Sequence, residues 1–237
     1  MQKGLLLALC CWVASSVASE RIVRVGLNYS APWAYSNQQG VLQGIDHDIV
    51  FQALSAAGYQ VQIELFSHER MLQKFKAREL DFASPIAFDI PGAHKSLPYM
   101  EIQDIAASLT SANLNIAQLS DLGDKRVVAY QKAIDVLGEP FALALKPQNY
   151  LEMVERDRQI DLLFSGKVDL VVGDKLVLEY HSRKMYGEGQ IQIHPLFAKQ
   201  TYPAAAWDPD IIKAFNQHLI VMQKKGDIQA LMRLPRP

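Results

Sequence analysis

Between Asp161 and Asp174 the apolar positions change their period within a few residues. Leu162, Leu163 and Phe164 close a helical stretch, and Gly166 is suited to end it with positive φ. Leu170, Val171 and Val172 then form a β-branched-rich run that closes at Gly173-Asp174. The pattern predicts a helix end, a tight turn and a buried strand, with Asp174 at the strand's exit. A looser copy lies earlier, where Met71, Leu72 and Phe75 lead through Lys76-Ala77-Arg78-Glu79 into Leu80-Asp81-Phe82-Ala83-Ser84-Pro85. Two such units imply two similar lobes.

The same reading places alternating strands over 21–27 and 61–65, a helix over 49–57 that Asp46 or Asp48 caps and Gly58 stops, and a helix over 69–77. The polar, aromatic loop from Asn28 to Tyr35 follows the first strand, at the sheet edge where α/β folds bind ligands. An extended segment at 104–109 leaves the first lobe. A strand over 126–130, a helix-rich region over 135–166, a strand over 168–172, a helix over 175–184 and a strand over 191–193 make the second lobe. The chain crosses back between 197 and 206. Apolar residues at Ile211, Ile212, Phe215, Leu219, Met222, Ile228 and Leu231 predict two closing helices divided at Gly226 and docked on the first lobe.

Composition narrows the function classes. With 49% apolar residues in 237 and a net charge of −1, the chain can build a packed core. Its 24 Lys and Arg against 25 Asp and Glu give no basic field for nucleic acid. The six histidines show no paired spacing for a metal, and no cofactor is expected. Residues 1–19 carry Lys3, an apolar run from Gly4 to Ala14 and small residues at Ser16, Ala18 and Ser19, the pattern of a secretory signal peptide cleaved after Ala18 or Ser19. The run is shorter than the roughly 20 residues a membrane span needs. Leu9 is too large for the small residue a lipoprotein signal places before its modified Cys, so Cys10 and Cys11 leave with the peptide. The mature chain then has no cysteine, and disulfides and thiolate metal sites are excluded.

RVGLNYSAPWAY followed by GVLQGIDHDI, then FKARELDFAS, SLPYM, LSDLGDKRVVAYQ and FSGKVDLVVGD, in that order, resemble the extracellular solute-binding proteins of family 3. These are the periplasmic components typical of polar amino acid ABC transporters. The resemblance implies an α/β fold, the two-lobed periplasmic binding protein type II fold, with two hinge-crossing strands and a ligand held between the lobes. The lobes would be 20–108 plus 203–237, and 109–202. It further implies a periplasmic, monomeric, non-enzymatic protein that captures a small polar solute, an amino acid or related compound, for a membrane permease. A sensor serving a membrane signalling partner is the alternative, and a lyase like the cyclohexadienyl dehydratases of this fold is a third reading.

In that family Asp174 corresponds to the acid that receives a ligand's amino group; capping of the following helix is its other reading. The first-lobe loop that usually carries a carboxylate-clamping Arg reads Ala87-Phe88-Asp89-Ile90-Pro91-Gly92-Ala93-His94-Lys95, without Arg. The facing loop, usually Gly then Thr or Ser, is Gln131-Lys132-Ala133-Ile134. Arg70, which opens the helix after the second strand as in a divergent branch, becomes the candidate for an anionic group, against a surface ion pair with Glu69 or Glu79. Tyr29 and Trp33 are candidates for an aromatic wall, with plain packing the other reading for Trp33. Ser84 and Phe88 on one side and Gln131 and Lys132 on the other complete the expected site. Asp48 and Asp81 are read as structural.

Overall fold

The computed structural model describes residues 21–233; the expected signal peptide, with its cleavage site and both cysteines, lies outside the described residues. The chain runs through β1 (Ile22–Asn28), β2 (Tyr35–Ser36), β3 (Leu42–Gln43), α1 (Ile45–Ala56), β4 (Gln60–Phe66), α2 (His68–Lys76) and β5 (Phe82–Ser84). β6 (His94–Lys95) and β7 (Met100–Ile102) lead into β8 (Asp104–Leu109), β9 (Val127–Tyr130), α3 (Ala133–Leu137), α4 (Glu139–Ala144) and β10 (Tyr150–Met153). Then come α5 (Arg156–Phe164), β11 (Leu170–Asp174), α6 (Lys175–Tyr186) and β12 (Ile191–His194). β13 (Gln200–Tyr202), β14 (Ala205–Ala206), α7 (Pro209–Lys225) and α8 (Asp227–Arg233) close the described chain.

Two five-stranded sheets result, ordered β4-β1-β5-β14-β6 and β10-β9-β11-β8-β12. In each, the first strand of a βαβαβ unit lies between the other two and pairs with both in parallel. The return strands are antiparallel. The paired β7 and β13 run between the sheets as a separate two-stranded ladder. Because β8 pairs with β11 and β12, residues 104–109 are in the second sheet, so the first crossing ends near Gln103 and not at 108.

The sequence explains the packing on both faces. Val23, Val25 and Leu27 alternate inward along β1 to meet Ile49, Val50 and Leu54 of α1 and Phe215 and Leu219 of α7. On the opposite face α2 brings Met71 and Phe75 against Leu80, Ala83 and Ile86. The second lobe repeats this, with Leu122, Phe141 and Leu170 on one face and Ile160, Leu163 and Leu178 on the other. The closing helices dock on the first lobe as their apolar stripe predicts, and Gly226 divides them at φ 79°.

An Arg–Asp pair locks each unit at the same place. Arg24 at the head of the central strand gives its backbone N–H, Nε and Nη2 to Asp81, at 2.9 Å each. Arg126 does the same to Asp169, at 2.8, 3.1 and 2.6 Å. The turns before these acids also match: Gly166 has φ 66° and Arg78, its counterpart, φ 59°. Arg78 takes this left-handed conformation without the freedom of glycine, and its guanidinium stacks 4.1 Å from the Trp207 ring centroid.

Candidate functional site

Parallel strands gather their ligand-contacting residues at their C-terminal ends, and both sheets here present those ends to one cleft. A cavity of ≈ 180 Å³ lies there. Asn28 from the end of β1, Ser30 and Trp33 from the loop after it, and Pro85 after β5 form the first-lobe side. Tyr130 at the end of β9, Arg156 after β10, Asp174 at the end of β11, and Val136 and Val177 form the second-lobe side. Met100, Ile102, Asp104 and Tyr202, on or beside the crossing strands, make the floor.

Asp174 holds this cleft together rather than standing open in it. Its Oδ1 accepts the backbone N–H groups of Leu176 and Val177, at 2.7 and 3.3 Å, and so caps α6. Its Oδ2 accepts the indole N–H of Trp33 from the other lobe, at 2.9 Å. The two sequence readings of this residue, cap and site, are therefore not alternatives: it caps a helix and faces the cavity at once. Asp104 sits opposite it in the antiparallel ladder and accepts the Tyr130 hydroxyl at 3.2 Å. Burial raises both carboxyls, and the Asp104 charge adds to the rise that brings Asp174 to about 6.

Arg156 is the cation of the cleft. Burial lowers its pKa while Tyr130, Asp104 and Asp174 favour its charge. Its guanidinium stands 5.3 Å from the Tyr130 ring centroid, and its Nη1 is buried without a hydrogen-bond partner. Sequence reasoning passed over this residue because it read 135–166 as helical. The structure instead places β10 inside that span, so Arg156 follows a strand end, where a cleft residue belongs.

The expected site residues separate into three groups. Trp33 and Asp174 meet in the cleft. Tyr29 lines a second, larger recess of ≈ 490 Å³ at the outer edge between the lobes, with Tyr35, Gln43, Tyr180 and His181. Tyr35 and Tyr180 pack across the lobes there, with ring centroids 5.5 Å apart. The others lie outside both spaces. Arg70 is exposed in a shallow depression with Ser67, Glu69 and Gln73. Phe88 is exposed, with the Lys76 ammonium 5.5 Å from its ring centroid. Gln131 and Lys132 are exposed on the turn into α3, where the Lys132 backbone N–H donates to Glu152 at 2.6 Å. A wide groove of ≈ 700 Å³ along β6 and α7 is on the first lobe alone.

Ser84 has another partner set. It is wholly buried, and its hydroxyl joins Tyr99 at 2.7 Å and Asp46 at 3.3 Å, while Tyr99 donates to Asp46 at 2.5 Å. Asp46 therefore does not cap α1; Gly44 stands at that position and gives no side-chain cap. Burial pushes the Asp46 carboxyl up to about 6, against the lowering effect of Tyr99 and Ser84. A folded pKa above the unfolded value of 3.8 means that this contribution to stability is full below about pH 4 and is lost as pH rises through about 6. Asp46→Asn should accordingly cost more stability near pH 4.5 than near pH 7.5, by on the order of 2 kcal/mol. Urea denaturation at the two pH values reads the difference, and equal costs at both would show that Asp46 titrates normally.

The GluR0 ligand-binding core complexed with L-glutamate is similar in structure, with TM-score 0.74 and 17% identity over 90% of this chain and 97% of that one. A histidine kinase sensor domain with similarity to periplasmic binding proteins has TM-score 0.72 and 18% identity, over 90% and 94%. The amino acid ABC transporter substrate-binding protein AbpA of Streptococcus pneumoniae, bound to L-arginine, has TM-score 0.69 and 20% identity, over 89% and 92%. The fold is that of the periplasmic binding proteins. No family model matches the sequence, and no curated protein matches it. Two recesses are lined by residues of both lobes, the ≈ 180 Å³ cavity around Arg156, Asp104 and Asp174 and the ≈ 490 Å³ recess beside Tyr29.

Proposed function

We propose that this chain is a periplasmic solute-binding protein that takes a small polar solute, an amino acid or a related compound, into the cleft and hands it to an ABC transporter permease. The observation that carries the reading is a cavity walled by side chains of both lobes, with a buried guanidinium nitrogen lacking a partner at its edge. A solute touching both walls stabilises the closed arrangement relative to an open one, which is how binding becomes a signal to a membrane partner. The protein acts as a monomer and binds without catalysis: Asp174, the acid that a lyase reading would use, has both oxygens engaged. Micromolar affinity, about −8 kcal/mol, is expected.

A thermal-shift screen of amino acids, amines and small carboxylates checks the proposal. At least one class should raise the melting temperature, and a screen in which none does would remove the binding role. The second reading, a sensor for a membrane signalling partner, is favoured by the match to a histidine kinase sensor domain over nearly its whole length. Co-purification of a ligand-loaded form with a permease complex separates the two, since a sensor would not associate with one.

A further inference from the structure

Among the buried side-chain polar atoms of the residues lining the cleft, the one without a hydrogen-bond partner is a donor. Asp174 has both oxygens engaged, one on the α6 N–H groups and one on Trp33. Asp104 accepts from Tyr130. The buried Arg156 Nη1 has no hydrogen-bond partner, and a buried charged donor left unmatched is costly. An ammonium group entering this cavity would meet the guanidinium in the same ≈ 180 Å³ and find the Asp174 oxygens already occupied. A carboxylate reaching Arg156 would find the planar fork of N–H donors that a guanidinium offers. Met100, Ile102, Val136 and Val177 give the wall an apolar part beside the polar Asn28 and Ser30. At ≈ 180 Å³ the cavity suits a small occupant.

We propose that the cleft selects a small monocarboxylate with a short apolar tail and no α-amino group, anchored by Arg156 from the second lobe. This rests on the solute-binding reading above and narrows its ligand class. It also reverses the expectation that Arg70 holds the anionic group: Arg70 is exposed in a depression that shares no residue with the cavity.

Titration calorimetry on the mature chain with matched probes decides it: propionate and butyrate, L-alanine and L-2-aminobutyrate, n-butylamine, and inorganic phosphate. The carboxylates should bind at least about tenfold more tightly than the amino acids of equal chain length, and the amine and phosphate weakly or not at all. Arg156→Gln should remove carboxylate binding while Arg70→Gln leaves it unchanged, and Arg156→Lys should restore only part, because an ammonium lacks the planar fork. Circular dichroism and the melting temperature of each variant verify that it is folded. Tighter binding of the amino acids, or a folded Arg156→Gln protein with unchanged carboxylate affinity, would overturn the assignment and leave the solute-binding reading standing. Binding of phosphate in preference to the carboxylates would overturn it too. If no probe of any class binds and the wider screen is also silent, the solute-binding reading falls, and the assignment with it.

Discussion

Gly44→Ala is expected to destabilise the protein by more than about 3 kcal/mol, an effect large for a single methyl group. Gly44 holds φ 141° and ψ 170°, a region open essentially to glycine alone and costing another residue on the order of 1–3 kcal/mol. An added Cβ would also stand 2.2 Å from the Trp33 carbonyl oxygen and 2.8 Å from the Ala34 Cα, both backbone atoms that cannot turn aside. The neighbouring backbone is held from both sides. The first N–H groups of α1 donate to the preceding loop, Ile45 to the Pro32 carbonyl at 3.0 Å and Asp46 to that of Trp33 at 2.8 Å. Any relief of the clash therefore moves the loop that carries the indole to Asp174. Gly40 provides the control: its φ is 78°, but a Cβ there meets nothing within 4 Å, so Gly40→Ala should cost only about 1 kcal/mol. Denaturation midpoints of the two variants test this, and equal losses would show that φ alone, and not the fit against Trp33, sets the cost.

The elements that the sequence made legible are those whose pattern is local. Leu170-Val171-Val172, ended by Gly173-Asp174 and preceded by Gly166, is read correctly because a strand buried on both faces is apolar throughout and its turn needs positive φ. The loose copy ending at Ser84 is the same unit in the other lobe. The structure adds that the correspondence extends to the Arg24–Asp81 and Arg126–Asp169 locks. β10 escaped the reading because it is an edge strand paired only with β9, with its leucine, Leu151, exposed and the rest only half-buried, so no alternation marks it. Missing that strand hid Arg156, since nothing then placed the residue at a sheet edge. Partners far apart in the chain were equally out of reach. Asp46 looks like a helix cap from its neighbours, and its role depends on Ser84 and Tyr99, 38 and 53 residues away. The Trp33–Asp174 bond spans 141 residues, so both residues could be named separately while their contact could not.

That contact sets the second large effect. Asp174→Ala removes two things together: the cap on α6, worth about 1 kcal/mol, and the acceptor for a Trp33 indole N–H that is almost wholly out of water, worth another 1–3 kcal/mol. A loss of about 2–4 kcal/mol follows. Asp174→Asn should cost less, because its single carbonyl oxygen can keep the cap, while its amide then turns an N–H toward the indole N–H and the bond across the lobes is lost. Trp33→Phe deletes the bond from the other side, leaving one Asp174 oxygen rather than an indole donor unpaired, and it leaves the α6 cap in place. The order of stability should thus run wild type, then Trp33→Phe and Asp174→Asn, then Asp174→Ala. Adding Trp33→Phe to Asp174→Ala should cost less than it does alone, since the donor that suffered is gone. If Asp174→Ala proves no less stable than Asp174→Asn, the cap contributes little, and the residue's place at the cleft rests on the bond between the lobes alone.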